Sequence, residues 1–491
     1  MLPPWKRRTT LPLPATAVPD RATSADSTPY AYAYKDKATR PHSLGLRVQH
    51  AFHTRGNRAA SALVVLAVVC VLSLASALGR LGLASPDRTQ TGKVVARDWA
   101  HAAAGPRSVK GAKGGALVDE QGASAPAQSY NETVLILCPM RNAIEHIWHF
   151  FHLVDSLTYP RHLVHLAILV SDTSDGTYTR ALELANERQH ARAYRGKRYG
   201  RISVYQKDFT ADQAADDDGD NDEAGHVYAG DNIGKERHAY EAQVGRRKLL
   251  AKSRTWLLTS TLAPEVDWVL WADVDVVDYE PTLIERLMTY ATGAGGENGD
   301  LGGADVVVPN CVWKTYNEMG AYDRNNWIET PESLAIKAAL PPNQVLIEGY
   351  KDHPTYRFNL ASLAPSHPSQ LSDHNPYLGD PSRLSLASLP AYSPREPGIT
   401  LPRALQGAST IPETLDLDGV GGCAALVRAE VHREGAIFPA WPPVDHQLET
   451  EGFAQMVKAL RRGRGGGSSR KNGRGRLLGL PRYYVYHGLY G

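Results

Sequence analysis

Two aspartates near the middle of the chain, Asp273 and Asp275, carry the clearest chemical signal. They follow an apolar run, Trp268-Val269-Leu270-Trp271, that reads as a buried β-strand. Side chains alternate along a strand, so residues two apart point to one face. Two like charges there repel unless something neutralises them. A divalent cation holding a diphosphate does so, because hard oxygen ligands suit Mn²⁺ or Mg²⁺. That is the chemistry of nucleotide-sugar glycosyl transfer. The spacing also fits a strand end capped by solvated aspartates. Asp-x-Asp recurs at Asp216/Asp218, Asp218/Asp220, Asp220/Asp222 and Asp416/Asp418. Only Asp273/Asp275 directly follows a strand-like run, and ligands of open α/β sheets gather at the carboxyl ends of strands.

The elements that must position this pair alternate. Residues 133–138, 164–170 and 202–205 read as strands, and 144–157, 178–189 and 244–262 as helices, the last leading into the Asp-x-Asp strand. This order predicts an α/β fold, a mostly parallel sheet with helices on both faces. Residues 212–231 form an acidic insertion; its EF-hand reading fails because Ala214 and Gly225 would fall at ligand positions. Residues 361–412 are rich in Pro, Ser and Leu and predict a loop-like insertion. Residues 461–476 carry seven basic groups among Gly and Ser and read as a surface loop, with polyanion or membrane contact as the other reading.

Net charge is +2 over 491 residues, which implies no nucleic-acid partner. The charge is uneven, however. Residues 1–58 hold ten Lys/Arg and three Asp. Residues 59–79 hold no charge and span roughly 32 Å as a helix, enough to cross a membrane once. The basic excess places 1–58 in the cytoplasm and the remainder in a secretory lumen or outside the cell. Residues 80–131 lack periodicity and read as a flexible stem, and 132–491 as the catalytic domain. Beyond the apolar span lie Cys138, Cys311 and Cys423, which allow at most one disulfide. Their apolar, strand-like surroundings read as buried free thiols. Asn131-Glu132-Thr133 is an N-glycosylation sequon abutting a strand.

Longer stretches go beyond spacing. They are Cys138-Pro-Met-Arg-Asn142, Val170-Ser-Asp-Thr-Ser-Asp-Gly176, Leu270-Trp-Ala-Asp-Val-Asp275, Tyr322-Asp-Arg-Asn-Asn-Trp-Ile-Glu-Thr-Pro-Glu-Ser333, Leu346-Ile-Glu-Gly-Tyr350, Leu417-Asp-Gly-Val-Gly-Gly422, Glu449-Thr-Glu-Gly-Phe453, and Gly479-Leu-Pro481 with Tyr486-His487. Together, over about residues 132–490, they resemble the fungal Golgi mannosyltransferases of the mannan polymerase complexes, glycosyltransferase family 62. The three insertions depart from that pattern. The resemblance implies a GT-A (Rossmann-like) fold, GDP-mannose as donor and Mn²⁺ as cofactor. It also implies transfer to an α-mannan chain on N-glycans with retention, and a hetero-oligomeric Golgi complex. With the apolar span, the expected location is the Golgi membrane, single-pass type II, with the catalytic domain luminal.

Candidate roles follow. Asp275 binds the metal, with Asp273 acting through water or on the donor ribose. His487 is the second metal candidate; imidazole is the commonest metal-binding side chain, though a lone histidine also serves structure. GT-A enzymes often return a C-terminal histidine to the metal, and the strand-like run 483–486 would deliver it. Pro139, Arg141 and Asn142 after the first strand, and Asp172 and Asp175 after the second, are donor-binding candidates; turn chemistry favours the same residue types. Arg247 and Arg254 share a helix face and could meet a diphosphate. Asp418, with Gly421 and Gly422, suits an acceptor site, since glycine lets a sugar approach the backbone; an ordinary glycine-rich turn is the alternative. Glu449 and Glu451 precede an amphipathic helix and would orient the acceptor or stabilise positive charge on the sugar, or merely favour the helix dipole. Asp275, Asp418, Glu449 and Glu451 are thus the candidate catalytic carboxylates. Two other functions fit the same pattern: a catalytically quiet subunit supporting a mannan polymerase complex, and a transferase for a different nucleotide sugar.

Overall fold

In the computed structural model, the described residues are 95–100, 131–209, 240–295, 303–342, 344–347, 356–386, 401–441, 446–460 and 475–488. The chain divides into two units, residues 1–87 and 88–491, and every described residue belongs to the second. The expected tail and apolar span therefore lie outside the described residues, as do residues 212–231 and most of 461–476. Among the described residues no helix is long and apolar enough to cross a membrane.

Eleven strands form one sheet. They are β1 (Val95–Ala100), β2 (Thr133–Met140), β3 (Val164–Val170), β4 (Arg201–Gln206), β5 (Val266–Ala272), β6 (Val276–Asp278), β7 (Val306–Lys314), β8 (Met319–Ala321), β11 (Leu415–Asp416), β12 (Ala424–Arg428) and β13 (Leu477–His487). A separate pair joins β9 (Trp327–Ile328) to β10 (Phe358–Asn359). The path across the large sheet is β1-β4-β3-β2-β5-β12-β7-β13-β11, with β6 on β13 and β8 on β7. Strands β4, β3, β2 and β5 are mutually parallel. Beyond them β12 runs antiparallel to both β5 and β7, and β7 pairs in parallel with β13. The expected mostly parallel sheet is therefore mixed. Apolar periodicity marks that a strand exists; it carries no record of direction.

Both sheet faces are covered, which is why β2, β3 and β5 read as continuous apolar runs. In β2, Ile136 and Cys138 pack on one side with Ile147, Phe150 and Phe151 of α1 (Ile147–Ser156), Ala181 of α2 (Thr177–His190) and Leu287 of α4 (Leu283–Thr292). Leu135 and Leu137 pack on the other, with Leu249 and Leu257 of α3 (Tyr240–Thr261). Two further helices are α5 (Pro331–Ala339) and α6 (Ala429–Arg433), and Phe453 of α7 (Glu449–Leu460) joins the second core.

Three expectations change. The stem contains β1, which pairs antiparallel with β4, Val95 opposite Gln206; residues without periodicity can still complete a sheet edge. The Pro- and Ser-rich insertion has short turns, as its composition suggests, yet Leu363, Leu371, Leu384, Leu405 and Ile411 are buried in the second core. Of the three cysteines read as free thiols, only Cys138 is free; Cys311 and Cys423 form a disulfide. An apolar setting looks the same for a thiol and for half of a disulfide, because pairing depends on strands that meet across 112 residues of sequence.

Candidate active site

Strand β5 ends at Ala272, so Asp273 and Asp275 sit in the turn before β6 rather than on a strand. Alternation therefore does not fix their directions. Asp273 turns to Arg254, whose Nη2 donates to its Oδ1 at 3.0 Å. Asp275 turns to His487, with Nε2 2.9 Å from Oδ2. The sheet arranges this meeting: β13 runs beside β6, with His487 opposite Val276. The His487 ring also stacks on Tyr322, centroids 3.6 Å apart.

The two aspartates titrate apart. Burial, together with the nearby Asp275, Asp323 and Glu449, pushes Asp273 up to about 7, against the pull of Arg254. A third of the Asp273 side chain still faces the cleft (35%), so solvent tempers that rise. Burial also acts on Asp275, but His487 beside it, its own backbone N–H and the more distant His146 hold it below the usual carboxylate range. Asp275 is thus the anion of the pair.

Arg254 is a buried hub. Its Nε donates to Glu449 Oε1 at 3.0 Å, and its guanidinium lies 5.4 Å from the Trp271 ring centroid and 5.6 Å from that of Phe438. Glu449 and Glu451 open α7 rather than preceding it, and both are buried. Glu451 meets Arg247, and its Oε2 accepts from Arg357 Nη1 at 3.0 Å. Burial opposes its ionisation, but these two guanidiniums hold the Glu451 carboxyl below its ordinary range. Arg247 and Arg254, expected at a diphosphate, are thus engaged by the carboxylates of α7 and by Asp273.

The glycine-rich turn serves a different need from the one expected. A Cβ on Gly421 would stand 1.9 Å from Asp323 Oδ2, and one on Gly422 2.2 Å from Arg254 Nη2. The missing side chains make room for protein groups, so close sugar approach is not required to explain them. Asp418 pairs with Lys458, and its Oδ2 accepts from the Glu329 N–H at 2.8 Å. Those contacts occupy both of its oxygens.

The first two strand ends form a rim satisfied by its own turns. Pro139 lies inside β2, opposite Leu169, rather than after it. Arg141 Nε donates to the Asp172 carbonyl at 2.9 Å, and the Asn142 carboxamide oxygen accepts from the Ser174 N–H at 2.8 Å. Asp172 accepts from the Phe209 N–H at 3.1 Å. Asp175 is buried enough to oppose ionisation, but bonds from Thr177, Ile144 and Thr173 hold its carboxyl low. Asn142 and Asp172 adopt left-handed backbone, φ 47° and 48°, which these two residue types tolerate. Glu449 shares that region at φ 52°, where a Glu is uncommon.

Asp323 has no assigned role in the sequence reading, yet it belongs to this floor. It is buried, its Oδ1 accepts from the Asn325 N–H at 2.8 Å, and burial raises its carboxyl. Arg357 and Glu329 were likewise missed. Lys337 Nζ donates to Glu329 Oε1 at 2.8 Å, and Arg357 lies 3.9 Å from the Trp327 ring centroid. Residues 322–333 contribute to the sequence resemblance, but no spacing rule ties Asp323 to Asp273.

The Anp1 family matches residues 118–442. The mannan polymerase II complex anp1 subunit of Schizosaccharomyces pombe is 31% identical over 367 residues, covering 73% of this chain and 64% of that protein. The ANP1 subunit of Saccharomyces cerevisiae is 30% identical over 366 residues, with 72% and 55% covered. The chain thus spans less than two thirds of the length of these two relatives. The mannan polymerase complex subunit MNN9 of Candida albicans is 30% identical, with 74% and 77% covered. Among solved structures, a Pyrobaculum calidifontis mannosyltransferase in complex with GDP-Man and Mn²⁺ is 10% identical, covering 74% of this chain and 58% of that one, at a TM-score of 0.32. That overlap is too loose to support an argument about the site. The match over residues 118–442, which is two thirds of the sequence, places the chain in the Anp1 family.

Proposed function

We propose that this chain is a GT-A-type, metal-dependent, retaining α-mannosyltransferase. It moves mannose from GDP-mannose to the α-1,6 mannan backbone of N-glycans. It works as a subunit of a Golgi mannan polymerase complex, held by one type II membrane span. The reading rests on the convergence of Asp275 and His487 from distant parts of the chain to 2.9 Å. Resemblance to named complex subunits supports the partner assignment.

The residues fit a bound cation. Asp275 offers an anionic oxygen. His487 Nε2 lies 2.9 Å from Asp275 Oδ2, so both could turn to one cation between them. Among the described residues no group of three or more His, Cys, Asp or Glu is placed to hold a metal. Asp275 and His487 would therefore leave most of an octahedral shell to diphosphate oxygens and water. Bound Mn²⁺, or Mg²⁺, would neutralise charge on the leaving diphosphate.

The chain's own groups do the rest. Arg254 anchors Asp273 against the floor, so that its exposed edge can meet a ribose hydroxyl or bound water. Tyr322 fixes the plane of the His487 ring. Glu451 is neutralised by Arg247 and Arg357, which leaves Glu449 and Asp273, sharing Arg254, as the carboxylates that would favour positive charge on the departing mannose. Arg247 and Arg357 keep Glu451 ionised.

The test is GDP release from GDP-mannose with an α-mannoside acceptor and Mn²⁺. Asp275→Ala is expected to lower kcat by about 10³-fold. An equal rate would remove Asp275 from the chemistry. Greater thermal stabilisation by UDP than by GDP would reject the donor.

A further inference from the structure

The disulfide lies where the sheet comes apart beside the acidic floor. Strand β12 pairs with β7 only at Leu426 opposite Val307 and Val427 opposite Val306. Continuing that register three residues each way sets Cys423 opposite Asn310, next to Cys311. The ladder stops short of this point; β13 lies along the other edge of β7 throughout, and farther on Val312 to Lys314 pair with β8. Cys311 and Cys423 bridge the gap covalently.

Each half of the bond holds one acid by its backbone. The Asp273 N–H donates to the Cys423 carbonyl at 3.1 Å, and the Asp323 N–H donates to the Cys311 carbonyl at 3.1 Å. Gly421 and Gly422, immediately before Cys423, are pressed against the Asp323 carboxylate and the Arg254 guanidinium.

We propose that the Cys311–Cys423 disulfide is a positioning device for the reaction. It fixes the spacing of Asp273 and Asp323 across a seam that backbone pairing leaves open, and so sets the floor on which the donor is held. The inference about spacing stands on the sheet alone; its consequence for catalysis rests on the function proposed above.

The test uses full-length protein. Alkylation in denaturant before reduction should label Cys138 and leave Cys311 and Cys423 unlabelled. Labelling of all three without reduction would overturn the proposal. Hydrogen exchange is then compared between wild type and the double variant Cys311→Ser/Cys423→Ser. Exchange at the Asp273 and Asp323 amides should rise about tenfold or more, with β3 amides unchanged. A uniform rise, or none at these two amides, would contradict a local role. With the fold retained, Kd for Mn²⁺·GDP should rise about tenfold while that Kd in the dithiothreitol-treated wild type rises equally. If local exchange rises while wild type binds no Mn²⁺·GDP, the donor assignment fails and the seam stands. If wild type binds and the variant binds equally well, the positioning role fails.

Discussion

The rim at the ends of β2 and β3 and the floor beyond β5 use the same residue types and reach opposite electrostatic conditions. On the rim, Asp175 spends its oxygens on Thr173, Thr177 and Ile144, in two neighbouring loops and the first residue of α2, and its carboxyl titrates low. On the floor, Asp273, Asp275, Asp323 and Glu449 crowd together, and Asp273 is driven up to about 7. The rim is locally satisfied and the floor is held together against repulsion. Its arginines come from α3 and from Arg357, and its acids from three separate stretches of chain: the β5–β6 turn, the segment after β8, and the start of α7. Under the proposed function, crowded acids held by distant partners would suit a cation, whereas self-contained turns suit a scaffold.

That contrast can be broken by mutation. The largest effect should come from Glu451→Ala, which removes the buried carboxylate that Arg247 and Arg357 share; unfolding in urea should show a loss of about 4 kcal/mol. Gly421→Ala comes next. Its Cβ must displace the Asp323 carboxylate, and a loss of about 2 kcal/mol with weakened nucleotide binding is expected in the same assay.

A comparable effect is pH-driven. His432 lies buried under the floor, accepting from Trp271 Nε1 at 3.3 Å and donating through Nδ1 to the Ala436 carbonyl at 2.8 Å. Burial lowers it to about 4. The unfolded chain takes up that proton near pH 6.5, so stability is full above that pH and falls as pH drops from about 6.5 towards 4. Asp273, raised to about 7, contributes the opposite slope, so the His432 effect is read as a difference: between pH 7.5 and 5, wild type should lose about 2 kcal/mol of unfolding free energy relative to His432→Gln. The smallest effect belongs to the rim. Asp175→Asn should cost about 1 kcal/mol, with nucleotide affinity little changed. A larger loss of affinity there than from Gly421→Ala would reverse the comparison.

The parallel half of the sheet was legible because its strands and helices alternate locally. Ile147–Ser156, Thr177–His190 and Tyr240–Thr261 fall within a few residues of the expected helices. Strand β13 appears where the 483–486 run placed it, longer at its start because Leu477 to Leu480 pair with β7. The antiparallel half was not legible. The direction of β12, the union of Cys311 with Cys423 and the burial of Asp323 all depend on meetings across the fold. Glycines at 421 and 422 signalled crowding, but the sequence could not say whether the crowding group was a sugar or a guanidinium. Asp275 and His487 were found from residue type and context; their contact required the sheet.

The central claim is that Asp275 and His487 jointly hold the cation on which the donor diphosphate rests. Pulsed electron paramagnetic resonance on the Mn²⁺·GDP complex reads this directly, through coupling between manganese and an imidazole nitrogen. The account predicts such a coupling in wild type, its loss in His487→Gln, and loss of bound manganese in Asp275→Ala. A bound manganese with no nitrogen coupling, or one unchanged by both substitutions, would contradict it.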